Sequence, residues 1–89
     1  MSNIRILLAD DHSIVLDGLK LILEIDPNME VVGEAQNGQE VLDFVVNHEV
    51  DVIIMDINMP IMDGITCSRK IKSFDNFWNQ FLVRFKNQN

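Results

Sequence analysis

Three short apolar runs alternate with stretches of helical periodicity. The first run, Ile4-Arg5-Ile6-Leu7-Leu8-Ala9, stops at Asp10-Asp11. This mostly apolar run reads as a buried strand. Ser13 is placed to cap a helix, in which Ile14, Leu16, Leu19, Leu21, Ile22 and Leu23 recur at roughly helical steps. Asp26-Pro27-Asn28 breaks it. Met29 to Ala35, with Val31 and Val32, reads as a second strand. Asn37-Gly38 turns into a second helix carrying Val41, Leu42, Val45 and Val46. Val50-Asp51-Val52-Ile53-Ile54-Met55 is the third strand and ends at Asp56. Asn58-Met59-Pro60 and Asp63-Gly64 form an irregular loop, and a third helix runs from about Ile65 to Ile71 or beyond. The order β-α-β-α-β-α implies a parallel α/β sheet with right-handed crossovers and helices on its faces.

Ligand sites in open parallel sheets sit at the carboxyl ends of the strands. Two strands here end in aspartate, one in Asp10-Asp11 and one in Asp56. In the expected strand order 2-1-3 those strands are neighbours, about 4.8 Å apart. Three carboxylates then converge and repel unless a cation neutralises them. Hard oxygen donors favour Mg²⁺ or a similar ion. Beside such an ion a carboxylate can attack a phosphoryl group, because the metal screens the charge of both partners. The plainer alternative is that these aspartates only cap helices and solvate turns.

Charge and composition narrow the function classes. The chain has 89 residues, 47% of them hydrophobic, which fits one small packed domain. A net charge of -7 opposes direct nucleic-acid binding by this segment. Cys67 is the single cysteine, so no internal disulfide forms, and it reads as packing. No apolar run approaches the roughly 20 residues of a membrane span, and no signal peptide is recognisable. A cytoplasmic chain without membrane contact is the expectation. His12 reads as a polar loop residue and His48 as a cation at a helix end. Met55, Met59 and Met62 read as core and loop filler, not a soft-metal site.

Leu8-Ala9-Asp10-Asp11-His12, followed by the run from Val50 through Asp56-Ile57-Asn58-Met59-Pro60-Ile61-Met62-Asp63-Gly64, resembles the receiver domains of two-component response regulators, most closely those of the NarL/LuxR class of transcriptional regulators. The resemblance covers about residues 3 to 72. It implies a flavodoxin-like, receiver-type sheet with helices on both faces. It also implies a non-enzymatic signalling role, with Asp56 taking phosphate from a sensor histidine kinase. By the same resemblance Asp11 would ligate Mg²⁺ directly, Asp10 would help hold it, and Asp56 and the backbone carbonyl of Asn58 would complete the site. Pro60 and Gly64 would shape the loop after the acceptor. A haloacid-dehalogenase-like phosphotransferase also uses a strand-end Asp with Mg²⁺, but it wants a second Asp where this chain has Asn58.

Receivers of this family have five strands, the fourth ending in a Ser or Thr and the fifth in a Lys. The sequence supplies no candidate for either, and about three strands are expected. The domain is therefore read as a partial receiver over residues 1–73 with a tail over 74–89. Phe74, Phe77, Trp78, Phe81, Leu82 and Phe85 recur at steps of three and four, which predicts an amphipathic helix in the tail. Two origins stand open for it, a native cover for the sheet or a product of frameshift or truncation. A third strand with an unpaired edge, together with a greasy tail, predicts a homodimer or intertwined oligomer. The competing function is a docking or dimerisation module that has lost phosphorylation.

Overall fold

The computed structural model describes residues 3–73 and 82–86. Its elements are β1 (Ile4–Ala9), α1 (Ser13–Leu23), β2 (Met29–Ala35), α2 (Gly38–Val45), β3 (Val52–Asp56), α3 (Gly64–Lys72) and β4 (Leu82–Lys86). The strands form one sheet in the order β2-β1-β3-β4, and every pairing is parallel. The 2-1-3 order expected for the first three strands is present, and the receiver-type α/β architecture with it.

β1 sits inside the sheet, which accounts for its apolar run from Ile6 to Ala9. Leu7 and Ala9 face a core built with Val41 and Val45 of α2, Ile53 and Met55 of β3, and Cys67 and Ile71 of α3. Ile6 and Leu8 face the other way, onto Leu16 of α1. A strand that buries both faces has no polar side to alternate with. Pairing between β1 and β2 shifts after Ile6, from Ile6↔Val31 to Leu7↔Gly33. One extra residue, Val32, is thereby accommodated, and Gly33 beside it lies so near the Phe44 ring that a Cβ there would stand 2.5 Å from it.

The helix starts follow from local chemistry. Asn37 caps α2 by accepting the Glu40 N–H at 2.9 Å, and Asp63 caps α3 by accepting the Thr66 N–H at 2.7 Å. That hydrogen bond holds the Asp63 carboxyl below its usual range. α1 differs: its N-cap is His12, whose side chain makes no cap hydrogen bond, and Ser13 is the first helical residue rather than the cap.

The tail departs from its expected form. Leu82–Lys86 is a strand, not part of a helix, and it pairs with β3 along Val52↔Leu82 to Asp56↔Lys86. The sheet thus has four strands instead of three, and the edge of β3 is not free. The argument for strand exchange between chains loses its basis with that edge. Helical spacing of aromatics misleads over so short a run, because Leu-Val-Arg-Phe also suits a strand and the β3 edge offers a row of backbone partners. The rest of the helical expectation, residues 74–81 and 87–89, lies outside the described residues. Among the described residues, no helix is long and apolar enough to cross a membrane.

One polar pair ties β1 to the start of β3. Arg5 donates from its backbone N–H to Asp51 Oδ2 at 2.8 Å, from Nε to Oδ2 at 3.1 Å and from Nη2 to Oδ1 at 3.1 Å. Asp51 N–H returns a bond to the Arg5 carbonyl at 2.8 Å, and Arg5 also pairs with Glu49. The Arg5 side-chain bond, then its backbone bond, hold the Asp51 carboxyl below its usual value. A depressed folded-state value means stabilisation that is present above the ordinary carboxylate pKa and lost as pH falls through the depressed one. Urea unfolding of the wild type and Asp51→Asn should therefore differ at pH 6 to 7 and converge below about pH 4; a difference unchanged at pH 3 would contradict this assignment.

Candidate functional site

β1 and β3 run side by side with Ala9 opposite Met55, so the residues that follow them emerge together at one edge of the sheet. Asp10 and Asp56 are each 1% exposed, while Asp11 is open to solvent. Asp10, Asp11, His12 and Asp56 each offer a donor atom, and these atoms all lie within 4.8 Å of one another. Chain topology alone brings these groups together, since α1, β2 and α2 lie between the two strands in sequence.

The backbone around Asp56 is tightly set. Asp56 Oδ1 accepts the Asn58 N–H at 3.3 Å, and Oδ2 is buried with no hydrogen-bond partner among the described residues. A buried carboxylate oxygen without a donor is costly, and it marks a place where a cation or an incoming group would be favoured. Gly64 N–H donates to the Ile57 carbonyl at 2.8 Å. A Cβ on Gly64 would stand 2.4 Å from the Asp56 carbonyl oxygen, so the close passage of α3 beneath the end of β3 requires glycine here. Pro60 opens a tight turn: its carbonyl accepts the Met62 N–H at 2.7 Å, around Ile61 at φ 70. This left-handed conformation is strained for a β-branched residue, and the Ile61 side chain is 82% exposed. Met62 in turn accepts the Gly38 N–H at 2.9 Å, which fastens the loop to the start of α2.

His12 is more involved than its expected part as a loop residue. Its N–H donates to Asp10 Oδ1 at 2.9 Å. Its ring Nδ1 lies 2.9 Å from Asp10 Oδ1 and 3.1 Å from Asp11 Oδ1. The hydrogen bond to Asp10, and then the charge of Asp11, raise the imidazole pKa above its usual value. No spacing rule marked His12 in advance; only the turn that leads into α1 brings the ring back over the carboxylates. Lys86 was also unforeseen as a neighbour: it occupies the register position opposite Asp56 on β4. It stands on a fourth strand rather than on the fifth, where the resemblance would put a lysine.

The other singled-out residues lie apart. Cys67 is fully buried, its Sγ 3.5 Å from the Gly38 carbonyl, and burial pushes its thiol up to about 11, so it is an inert packing group at neutral pH. Met55 and Met59 are buried, and Met62 packs against the same core. His48 stacks on Phe44 with ring centroids 4.0 Å apart and approaches the Phe44 carbonyl through Nδ1 at 3.0 Å.

Comparison with known proteins agrees with this geometry. The family model described as the response regulator receiver domain matches residues 6–83. The chain belongs to that family. The match runs beyond residue 72, where the motif-based resemblance stopped, and reaches the beginning of β4. The chain is 49% identical over 67 residues to a protein-glutamate methylesterase/protein-glutamine glutaminase of Pseudoalteromonas atlantica, covering 75% of this chain and 18% of that protein. It is 47% identical over 68 residues to the transcriptional regulatory protein LiaR of Bacillus subtilis, covering 76% of this chain and 32% of LiaR. It thus spans between about a fifth and a third of these relatives. Among solved structures, it superposes on the signal receiver domain of NarL from Mycobacterium tuberculosis with a TM-score of 0.83, at 26% identity, over 100% of this chain and 71% of that one. The chain therefore has the fold as well as the sequence of a receiver domain.

Two substitutions test the construction of the site. Asp56→Asn should raise the unfolding free energy obtained from urea titration in chelator-containing buffer by on the order of 1 kcal/mol, because one of three converging carboxylates is removed; a lower midpoint would show that their repulsion does not dominate. Gly64→Ala should cost about 1–3 kcal/mol through its clash with the Asp56 carbonyl, read in the same unfolding experiment.

Proposed function

We propose that the chain accepts a phosphoryl group on Asp56, as the phosphoacceptor receiver of a two-component response regulator. The observation that carries this reading is the buried Asp56 carboxylate, with an unbonded oxygen, set within reach of Asp10 and Asp11 at the end of two paired strands. In this reading one Asp56 oxygen attacks phosphorus, a new P–O bond forms to the carboxylate, and the bond from phosphorus to the donor breaks. With a kinase phosphohistidine the broken bond is P–N; with acetyl phosphate it is P–O, and acetate leaves.

The donor set fits a hard divalent cation. Asp10, Asp11, Asp56 and the backbone carbonyl of Asn58 would hold Mg²⁺, which would neutralise charge between the carboxylate and the phosphoryl oxygens. Asn58 N–H, already bonded to Asp56 Oδ1, orients the nucleophile. Pro60, through the strained turn at Ile61, and Gly64, through its contact with the Asp56 carbonyl, keep the acceptor loop in place. The domain itself would turn over no metabolite. Relatives named as an esterase and as a transcriptional regulator carry the same kind of module, so the output belongs to whatever the module is joined to. A sensor histidine kinase is the expected phosphoryl donor, in the cytoplasm.

A second reading is a docking or dimerisation module. It is favoured by the outer side of α1, where Ile14, Leu21 and Ile22 are 66–80% exposed and Ile25 just beyond is 80% exposed. Under this reading an Asp56→Asn variant would still associate with its partner.

Incubation with acetyl phosphate and Mg²⁺ tests the first reading. Intact-mass measurement should show one added phosphoryl group on the wild type and none on Asp56→Asn. Absence of the adduct from both chains, with Mg²⁺ present, would remove acceptor competence.

A further inference from the structure

Pro60, Ile61 and Met62 form a tight turn in which the Met62 N–H donates to the Pro60 carbonyl at 2.7 Å, around Ile61 at φ 70. A turn closed by an i→i+2 bond at positive φ is the rare, strained form of its class, and a β-branched side chain suits it poorly. Packing does not offset that strain, because the Ile61 side chain is 82% exposed. What the turn holds is α2. The Met62 carbonyl accepts the Gly38 N–H at 2.9 Å, one of the donors that a helix start leaves without an intrahelical partner. The contact is so close that a Cβ on Gly38 would stand 2.6 Å from the Met62 carbonyl oxygen. At its other end the loop reaches the acceptor through the long bond from Asn58 N–H to Asp56 Oδ1, 3.3 Å. Its neck is closed by Gly64 N–H on the Ile57 carbonyl at 2.8 Å.

We infer that this turn is a strained latch, closed onto α2 while Asp56 is a free carboxylate and opened when Asp56 carries a phosphoryl group. The inference rests on the acceptor role proposed above and adds where that event is read, at the start of α2. In the acyl phosphate the Asp56 carboxyl is uncharged, and the negative charge lies on phosphoryl oxygens farther out. Asn58 N–H follows that charge, because a bond to an ionised acceptor is roughly twice as strong as one to a neutral acceptor. The neck cannot give, since Gly64 is packed against the Asp56 carbonyl. The displacement therefore falls on the residues between Asn58 and Asp63, where the bond across Ile61 is already opposed by strain. Its loss carries the Met62 carbonyl away from Gly38 N–H. Linkage fixes the sign of the effect: whatever steadies the closed latch must weaken binding of a phosphoryl mimic by the same factor. Glycine adopts positive φ freely, and asparagine tolerates it while keeping a Cβ. Ile61→Gly and Ile61→Asn both relieve the closed turn.

Amide exchange read by NMR on the full chain, in Mg²⁺ with and without beryllium trifluoride as phosphoryl mimic, tests the latch. Binding of the mimic is followed by its ¹⁹F resonance. In the wild type the mimic should speed exchange at Gly38 and Met62 by at least about tenfold, and leave Gly64 and Asp51 within about twofold. Ile61→Gly and Ile61→Asn should each bind the mimic about tenfold more weakly, the Asn variant with a urea midpoint no lower than that of the wild type. Unchanged exchange at Gly38 and Met62 in mimic-bound wild type would overturn the latch, whatever the variants do. Mimic affinity in both variants equal to or above that of the wild type would overturn it too, as would a lower urea midpoint in Ile61→Asn. Failure of the wild type to bind the mimic with Mg²⁺ present would instead overturn the acceptor reading, and this inference with it.

Discussion

Parallel pairing of β1 with β3 is the constraint on which everything else depends. With Ala9 opposite Met55, the chain must deliver Asp10 and Asp56 to the same place, and both arrive buried. Like charges held together in low dielectric are unfavourable, yet the apolar cores on either side of the sheet fix the two strands regardless. Hydrophobic burial holds the strands, and the strands hold the carboxylates. The chemical potential of the site is therefore set by side chains such as Leu7 and Ile53, which never touch it.

The loop after β3 repeats this logic at smaller scale. Gly64 must lack a side chain because the Asp56 carbonyl occupies its space. Met62 is bonded through its carbonyl to the start of α2, and Ile61 just before it is left in a left-handed conformation. The loop is thus attached at both ends and strained in the middle, an arrangement that recurs at ligand sites. The helices on either side of it start from side-chain caps, Asn37 for α2 and Asp63 for α3.

Much of this was legible in the residues. The buried strands read directly from mostly apolar runs, and the place of their terminal aspartates from the rule that parallel sheets bind ligands at carboxyl ends. Asn37-Gly38 marked the start of α2, whereas Asp63-Gly64 read as loop and holds the cap and first residue of α3. What escaped was decided by tertiary context. Leu82–Lys86 carries a spacing compatible with a helix, and only the unfilled edge of β3 makes it a strand. His12 looked like an incidental loop residue because its importance lies in the direction of its ring, which no periodicity encodes. Lys86 was out of view for the same reason as its strand: a register position exists only once a partner strand has been found.

The bond set between Arg5 and Asp51 has a further meaning. A strand that is greasy on both sides could slide by one residue and still bury as much hydrocarbon, so the hydrophobic effect alone cannot tell the right alignment from its neighbours. Arg5 can. Its backbone and guanidinium together grip a single carboxylate next to β3, and displacement by one step would break every one of those bonds and carry Asp10 away from Asp56. The ion pair at one end of β1 thus acts as an alignment key for the acidic site at the other.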